Sequence, residues 1–158
     1  MDENTPAGRW LEERGIPHRM FRHAGPAVTL EQAAEERGQR PEQVIRSLVF
    51  RIGSEDFIIV LAAGPNQVSW KRLRAYVGQN RLTMATPNEV LKATGYRIGT
   101  VSPFGLAMPM RMLMDQSVFS EQEVSVGSGE AGVGIIMTVA DLLRALPVAE
   151  KVNLMDSA

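Results

Sequence analysis

The segment VIRSLVFRIGSEDFIIVLAA, residues 44–63, carries two adjacent strand signals. Val44 to Ile52 is rich in β-branched and apolar residues, and a turn at Gly53-Ser54 separates it from a second run, Asp56 to Ala63. Because the link between them is so short, the sequence predicts an antiparallel hairpin. The unbroken FIIVLAA of the second run indicates a strand that is buried on both faces.

Helix and strand signals surround this hairpin. The predicted helices cover residues 5–14, 29–37, 69–76, 86–93 and 138–146, the last four beginning at a Ser or Thr cap. The other predicted strands cover residues 19–23, 110–114, 123–126 and 133–137, and the tail from Glu150 is predicted to be frayed. This pattern predicts an α+β fold, with a mixed, largely antiparallel sheet or partly closed barrel and helices packed outside. The length of 158 residues predicts one domain over residues 1–158.

Composition excludes several classes of function. The chain has no cysteine, only two histidines and no cluster of carboxylates, so we expect neither a metal site nor a cofactor. The balance of 17 Lys and Arg against 18 Asp and Glu argues against a protein that grips a long stretch of nucleic acid, although a short RNA end remains allowed. The longest apolar run, Phe57 to Ala63, is too short to cross a membrane and no leader is recognised, so we expect a cytoplasmic protein.

Two glycine-rich segments are candidates for a binding site. GYRIGTVSPFGL, residues 95–106, places three glycines around a rigid Pro103, which is typical of a loop that a ligand approaches closely. The second segment is Gly127-Ser128-Gly129, between two predicted strands. Spacing alone also allows the first to be an ordinary helix-to-strand connection and the second a hairpin turn.

Arg46 is the most unusual residue of the predicted hairpin. It interrupts an apolar strand, where a guanidinium is costly to bury without an anionic partner. That partner is either an internal carboxylate, such as Asp141 or Glu55, or a ligand. The sequence favours neither alternative over the other.

The order of the motifs resembles the YbaK family, the stand-alone relatives of the editing domain inserted in bacterial prolyl-tRNA synthetases. The resemblance runs from about residue 10 to residue 146 and is carried by the following segments: His23 before a Thr-x-x-Gln-Ala-Ala helix, IRSLVFR, SWKRLR, TPNEVLKATGYRIGTVSPFGL, VGSG and TVADLLRAL. Members of that family hydrolyse the ester between a wrongly attached amino acid and tRNA, in trans. The resemblance therefore implies an aminoacyl-tRNA deacylase that needs no metal and acts on the 3′ acceptor end of tRNA.

The resemblance also implies a site. It gives catalytic roles to Arg46 and Gly99, with the 3′-terminal adenosine and its phosphate near the strand that carries Arg46. It implies that the aminoacyl group lies against the two glycine segments. The implied substrate-binding residues are His23, Thr100, Val101, Ser102, Pro103, Gly127, Ser128, Gly129 and Asp141.

Position 46 departs from the family, which typically carries a lysine there. Arginine cannot deprotonate, so a role as proton carrier is lost, while binding of a phosphate or carbonyl oxygen survives. Two functions follow from the sequence: a trans-acting deacylase with substrate-assisted attack, or a non-catalytic module of the same fold that binds an aminoacyl or nucleotide end or a protein partner. The sequence carries no signal for an oligomeric state.

Overall fold

The computed structural model describes residues 5–25 and 29–156. Its α-helices are α1 (Pro6–Glu13), α2 (Leu30–Glu36), α3 (Trp70–Val77), α4 (Pro87–Thr94) and α5 (Val139–Ala145). Its strands are β1 (Arg19–Arg22), β2 (Ile45–Ile52), β3 (Asp56–Ala63), β4 (Leu82–Met84), β5 (Arg111–Asp115), β6 (Glu123–Gly127), β7 (Val133–Thr138) and β8 (Glu150–Val152). Short 3₁₀ turns at Pro41–Gln43 and Gln116–Ser120 precede β2 and follow β5.

The strands form two sheets. The larger has the order β4-β2-β3-β5-β8, in which β3, β5 and β8 run parallel and the other neighbours are antiparallel. The smaller has the order β1-β7-β6 and is antiparallel throughout. Among the described residues, one parallel β-bridge, between Val44 and Ser125, joins the two sheets. The predicted α+β class with a mixed, largely antiparallel sheet is confirmed, and the sheets do not close into a barrel.

The hairpin at the centre of the fold forms as predicted. β2 and β3 pair along their whole length, from Ile45 opposite Ala63 to Ile52 opposite Asp56. β3 is buried on both faces, because Ile59 and Leu61 belong to one apolar cluster while Ile58 and Val60 belong to another on the opposite side. Burial on two sides explains why its sequence is continuously apolar instead of alternating.

The predicted helix starts coincide with the observed caps. Thr29, Ser69, Thr86 and Thr138 each accept a hydrogen bond from the backbone N–H three residues on, which satisfies a donor that the first turn leaves free. The helix α4 ends at Gly95, whose φ of +83° is the left-handed conformation that glycine adopts readily. The loop of residues 95–106 therefore begins at a fixed point.

The prediction of a frayed tail from Glu150 is wrong. Residues 150–152 form β8, which pairs with the edge of β5, and Leu154 is fully buried. The Leu154 N–H donates to the buried Asp115 carboxylate at 2.7 Å, and its carbonyl accepts from the Ser69 N–H, also at 2.7 Å. A three-residue polar strand has no periodicity of its own to detect, and it is held by contacts with distant elements. The three residues of β4 are also too few to show a periodicity, so the sequence does not predict this strand.

Candidate functional site

A cavity of about 490 Å³ lies where β2 lacks a neighbouring strand. The strand β4 pairs only with residues 50–52 of β2, so the preceding part of that edge, residues 45–49, faces the cavity. The opposite walls come from α2, from residues 98–101 of the glycine loop and from the β6–β7 connection. Such a concave site beside an open strand edge offers both apolar surface and backbone hydrogen-bonding groups to a ligand.

The two glycine segments form one wall of the cavity. A Cβ built on Gly127 would lie 2.2 Å from the Val101 carbonyl oxygen, so only glycine allows this approach. The Gly129 N–H donates to the Thr100 carbonyl at 2.9 Å and fixes the register of the two segments. Residues 127–129 are thus a hairpin connection, as one alternative held, and they also support the 99–101 loop directly.

The loop carries two backbone donors without an internal partner. Within the described part of the chain, the N–H groups of Gly99 and Val101 have no acceptor, whereas Thr100 donates to the Arg97 carbonyl at 3.0 Å. Gly99 has a φ of +88°, and a Cβ added there would meet no atom within 4 Å. The space that a Cβ at residue 99 would occupy is therefore empty and lies beside the cavity wall. Amides of this kind, held in place before a ligand arrives, suit an oxygen that acquires negative charge.

Arg46 lines the cavity from β2. Its Nε donates to the Gly64 carbonyl at 2.8 Å, and its Nη2 donates to the Asn66 carbonyl. Burial lowers the pKa of the guanidinium, and the negative charge of Asp115 raises it. Of the two alternatives for its partner, an internal carboxylate such as Asp141 or Glu55 does not contact the guanidinium, because backbone carbonyls take that place and the charge of Asp115 acts through space.

A network of hydrogen bonds beside the cavity joins the half-buried Arg37 through the buried His23 to the exposed Glu36. The Arg37 Nε donates to His23 Nε2 at 3.1 Å, so this ring nitrogen is an acceptor and the ring proton is on Nδ1. The Nδ1–H donates to the Glu36 carboxylate at 2.5 Å, and the Arg37 Nη1 donates to Ser125 Oγ at 2.8 Å. Burial lowers the pKa of Arg37, while the charge of Glu36 raises it.

Arg37 is a lining residue that could not be found from the sequence. Its partners are His23, directly after β1, and Ser125 of β6, and its guanidinium lies against Gly134 of β7, where a Cβ would be 2.6 Å from Cζ. No spacing pattern in the sequence links these positions. The only local signal is an arginine directly after the last residue of α2.

The structure brings together most of the predicted site residues. Those that line the cavity are His23, Arg46, Gly99, Thr100, Val101, Gly127 and Ser128. Those that do not are Ser102, Pro103, Gly129 and Asp141. Ser102 is fully buried and its Oγ accepts from the Phe104 N–H, while Asp141 accepts from Thr138 and Arg144 at the start of α5. The carboxylate of Asp141 is therefore engaged by the cap residue Thr138 and by Arg144, outside the cavity lining, whereas we expected it to contact substrate.

Two kinds of feature are missing from the residues that the structure describes. None of their helices is long and apolar enough to cross a membrane. No group of three or more His, Cys, Asp or Glu side chains in residues 5–25 and 29–156 is placed to hold a metal ion.

Comparisons with known proteins identify the family. The model of the aminoacyl-tRNA editing domain matches residues 24–145. The chain is 36% identical over 116 residues to the uncharacterized protein YwhH of Bacillus subtilis, covering 73% of each chain. It is 26% identical over 138 residues to the multifunctional Ser/Thr-tRNA deacylase ProXp-y of Escherichia coli, covering 85% of this chain and 82% of that one.

A solved structure extends the likeness to the fold. A crystal structure assigned as a trans-editing enzyme for prolyl tRNA synthetase superposes with a TM-score of 0.85 at 29% identity, over 97% of this chain and 99% of that one. The chain also matches proline–tRNA ligases, of whose length it spans about a fifth, for example 18% in Kosmotoga olearia. The resemblance noted from the motifs is confirmed: the chain belongs to the aminoacyl-tRNA editing domain family.

Proposed function

We propose that this protein is a trans-acting aminoacyl-tRNA deacylase, which hydrolyses the ester of a mischarged amino acid at the 3′ end of tRNA. The observation that carries the proposal is the wall formed by the two glycine segments, which presents the free amides of Gly99 and Val101 beside a cavity of about 490 Å³. Membership of the editing domain family supports the same conclusion. A tRNA substrate also makes the cytoplasm the expected location.

In this proposal each part of the cavity has one task. The amides of Gly99 and Val101 hold the ester carbonyl oxygen and stabilise the charge that develops on it. Thr100, Gly127 and Ser128 shape the space for the amino acid. Arg46 contacts the 3′-terminal adenosine or its phosphate, since a guanidinium suits phosphate oxygens.

The reaction needs a nucleophile and a proton path, but the described residues that line the cavity offer no free side-chain base. Both ring nitrogens of His23 are engaged, and the Ser128 hydroxyl donates to the Val133 carbonyl at 2.7 Å. Glu130 at the rim forms an ion pair with Arg22 at 2.9 Å. We therefore infer substrate-assisted attack, in which the ribose hydroxyl beside the ester orients the attacking water.

The proposed bond changes are those of ester hydrolysis. The water oxygen bonds to the carbonyl carbon, and the bond from that carbon to the ribose oxygen breaks. One proton of the water goes to the ribose oxygen and the other to solvent, and the amino acid leaves as a carboxylate. The ester is already activated, so positioning and a fixed electrostatic field are the contributions asked of the protein.

A second candidate is a non-catalytic module that binds the aminoacyl end. One observation favours it: the guanidinium of Arg46, where the family typically has lysine, is already engaged by the carbonyls of Gly64 and Asn66. A cation held in this way can still bind an anion with its remaining donors. It has less freedom to move during a reaction.

Deacylation assays separate the two candidates. We expect the purified protein to release at least one amino acid from tRNA charged with cysteine, alanine, serine, threonine or proline faster than buffer does. The rate should be unchanged by a chelator. Arg19→Met, which alters an exposed arginine outside the cavity, serves as the matched control and should keep full activity. Tight binding of charged tRNA without any turnover would establish the non-catalytic module instead.

A further inference from the structure

Arg37 lines the cavity and has one donor group without a hydrogen-bond partner in the described part of the structure. Its Nε and Nη1 are bonded to His23 and Ser125, but Nη2 has no partner among residues 5–25 and 29–156. The side chain lines the cavity, and the approach of its guanidinium to Gly134 fixes the plane of the group. Three contacts therefore hold the guanidinium in place while one of its amino groups stays free.

The charge of Arg37 is already balanced. The neutral His23 connects it to the Glu36 carboxylate, so the three side chains together carry no net charge. A neutral acceptor that binds to Nη2 leaves this balance intact. A second carboxylate would add a charge to the buried end of the cavity, close to Glu130 at its rim.

Arg37 lies at the end of the cavity that the proposed function gives to the amino acid. Its partner Ser125 lies two residues before Gly127 on β6, and Val126, Ser128 and Val133 line the wall next to it. Arg46 lines the same cavity from β2.

We propose that Arg37 is a specificity-determining residue, whose Nη2 donates to a hydroxyl oxygen on the side chain of the aminoacyl group. This inference rests on the proposed function. It makes esters of hydroxyl-bearing amino acids, threonine and serine, better substrates than those of their apolar counterparts, valine and alanine. An apolar side chain expels water from Nη2 without replacing its hydrogen bond, and sites built to bond a hydroxyl discriminate strongly against such analogues.

The test compares threonine with its near-isostere valine on one tRNA. For the wild type we expect kcat/KM to be about 10- to 100-fold higher for the threonyl ester. Arg37→Met keeps much of the side-chain volume but has no donor, and it should bring this ratio close to one. Because both esters are measured on the same sample, the ratio does not depend on the fraction of the variant that is folded. The Arg19→Met control should keep the wild-type ratio.

Several results would overturn the inference. Equal turnover of threonyl and valyl esters by the wild type would do so while leaving the proposed deacylase in place. An Arg37→Met variant that slows both esters by the same factor would place Arg37 against the nucleotide or in a structural role. A stronger preference for aspartyl over threonyl esters would make the ligand an anion. No turnover of any ester would overturn the proposed function and this inference together.

Discussion

Gly127→Ala tests the contact between the two glycine segments. Gly127 is not among the residues with positive φ, so alanine adds no backbone strain at this position. Its Cβ would lie 2.2 Å from the Val101 carbonyl oxygen, whereas real contacts of this kind begin between 3.0 and 3.4 Å. The 99–101 loop must therefore move away by about 0.8–1.2 Å.

A shift of this size should act on turnover more than on folding. Misplacing a reacting group by about 1 Å can cost roughly 100-fold in rate, and overpacking typically costs about 1–3 kcal/mol of stability. We therefore expect kcat/KM for deacylation to fall about 100-fold in a variant that still unfolds cooperatively. The assays are single-substrate kinetics on the preferred ester and thermal denaturation of the same sample.

Gly78→Ala is the matched control. Gly78 ends α3 with a φ of +76°, and no atom lies within 4 Å of an added Cβ. Alanine there should cost about 1–2 kcal/mol of stability through backbone strain and leave kcat/KM unchanged. Wild-type kcat/KM in Gly127→Ala would refute the argument, because it would show that the position of the loop does not limit the reaction.

Three further predictions concern other parts of the site. Gly99→Ala places a methyl group in open space at a φ of +88°, so it should cost about 1–2 kcal/mol of stability and lower kcat/KM by a larger factor than that loss explains; a variant with full activity would exclude the loop from the site. Arg46→Ala should abolish deacylation while costing less than the roughly 3–5 kcal/mol of a broken buried ion pair, because the hydrogen-bond partners of Arg46 are backbone carbonyls and Asp115 acts on it only through space; Arg46→Lys should retain activity if a cation alone is needed. Hydrogen bonds from His23 and Gln32 lower the pKa of the Glu36 carboxyl group. The ionised carboxylate therefore stabilises the fold at pH values above its ordinary pKa, and this stabilisation is lost as the pH falls through the lowered pKa. Glu36→Gln should therefore weaken the decline of the melting temperature on acidification, and an unchanged pH profile would contradict this assignment.

The sequence predicts the centre of the fold well because local signals and tertiary contacts agree there. The hairpin of residues 45–63 has a short turn, a strand with continuous apolar residues and a partner of equal length. The helix caps are equally local, since each needs one side chain and a backbone N–H three residues away. The two glycine segments are also visible, because a close approach and a positive φ leave few alternatives to glycine.

What the sequence did not reveal depends on contacts between distant elements. Asp141 has the residue type of a ligand contact, but at the start of α5 its carboxylate accepts from the capping Thr138 hydroxyl and from Arg144. Arg46 has no carboxylate partner because backbone carbonyls at the end of β3 satisfy it, and carbonyls leave no trace in a sequence. Arg37 acquires its environment only when β1, β6 and β7 pack together.

Because β8 pairs with the edge of β5, the larger sheet is complete only when residues 150–152 are present. During synthesis, residues 150–154 leave the ribosome after every other strand described here. Until then β5 has an open edge, and Asp115, whose charge balances Arg46, lacks the Leu154 N–H. We expect a nascent chain that ends at residue 149 to be far more sensitive to protease than one extended to residue 156. β8 would then both protect the edge of the larger sheet from self-association and complete the electrostatic environment of the cavity.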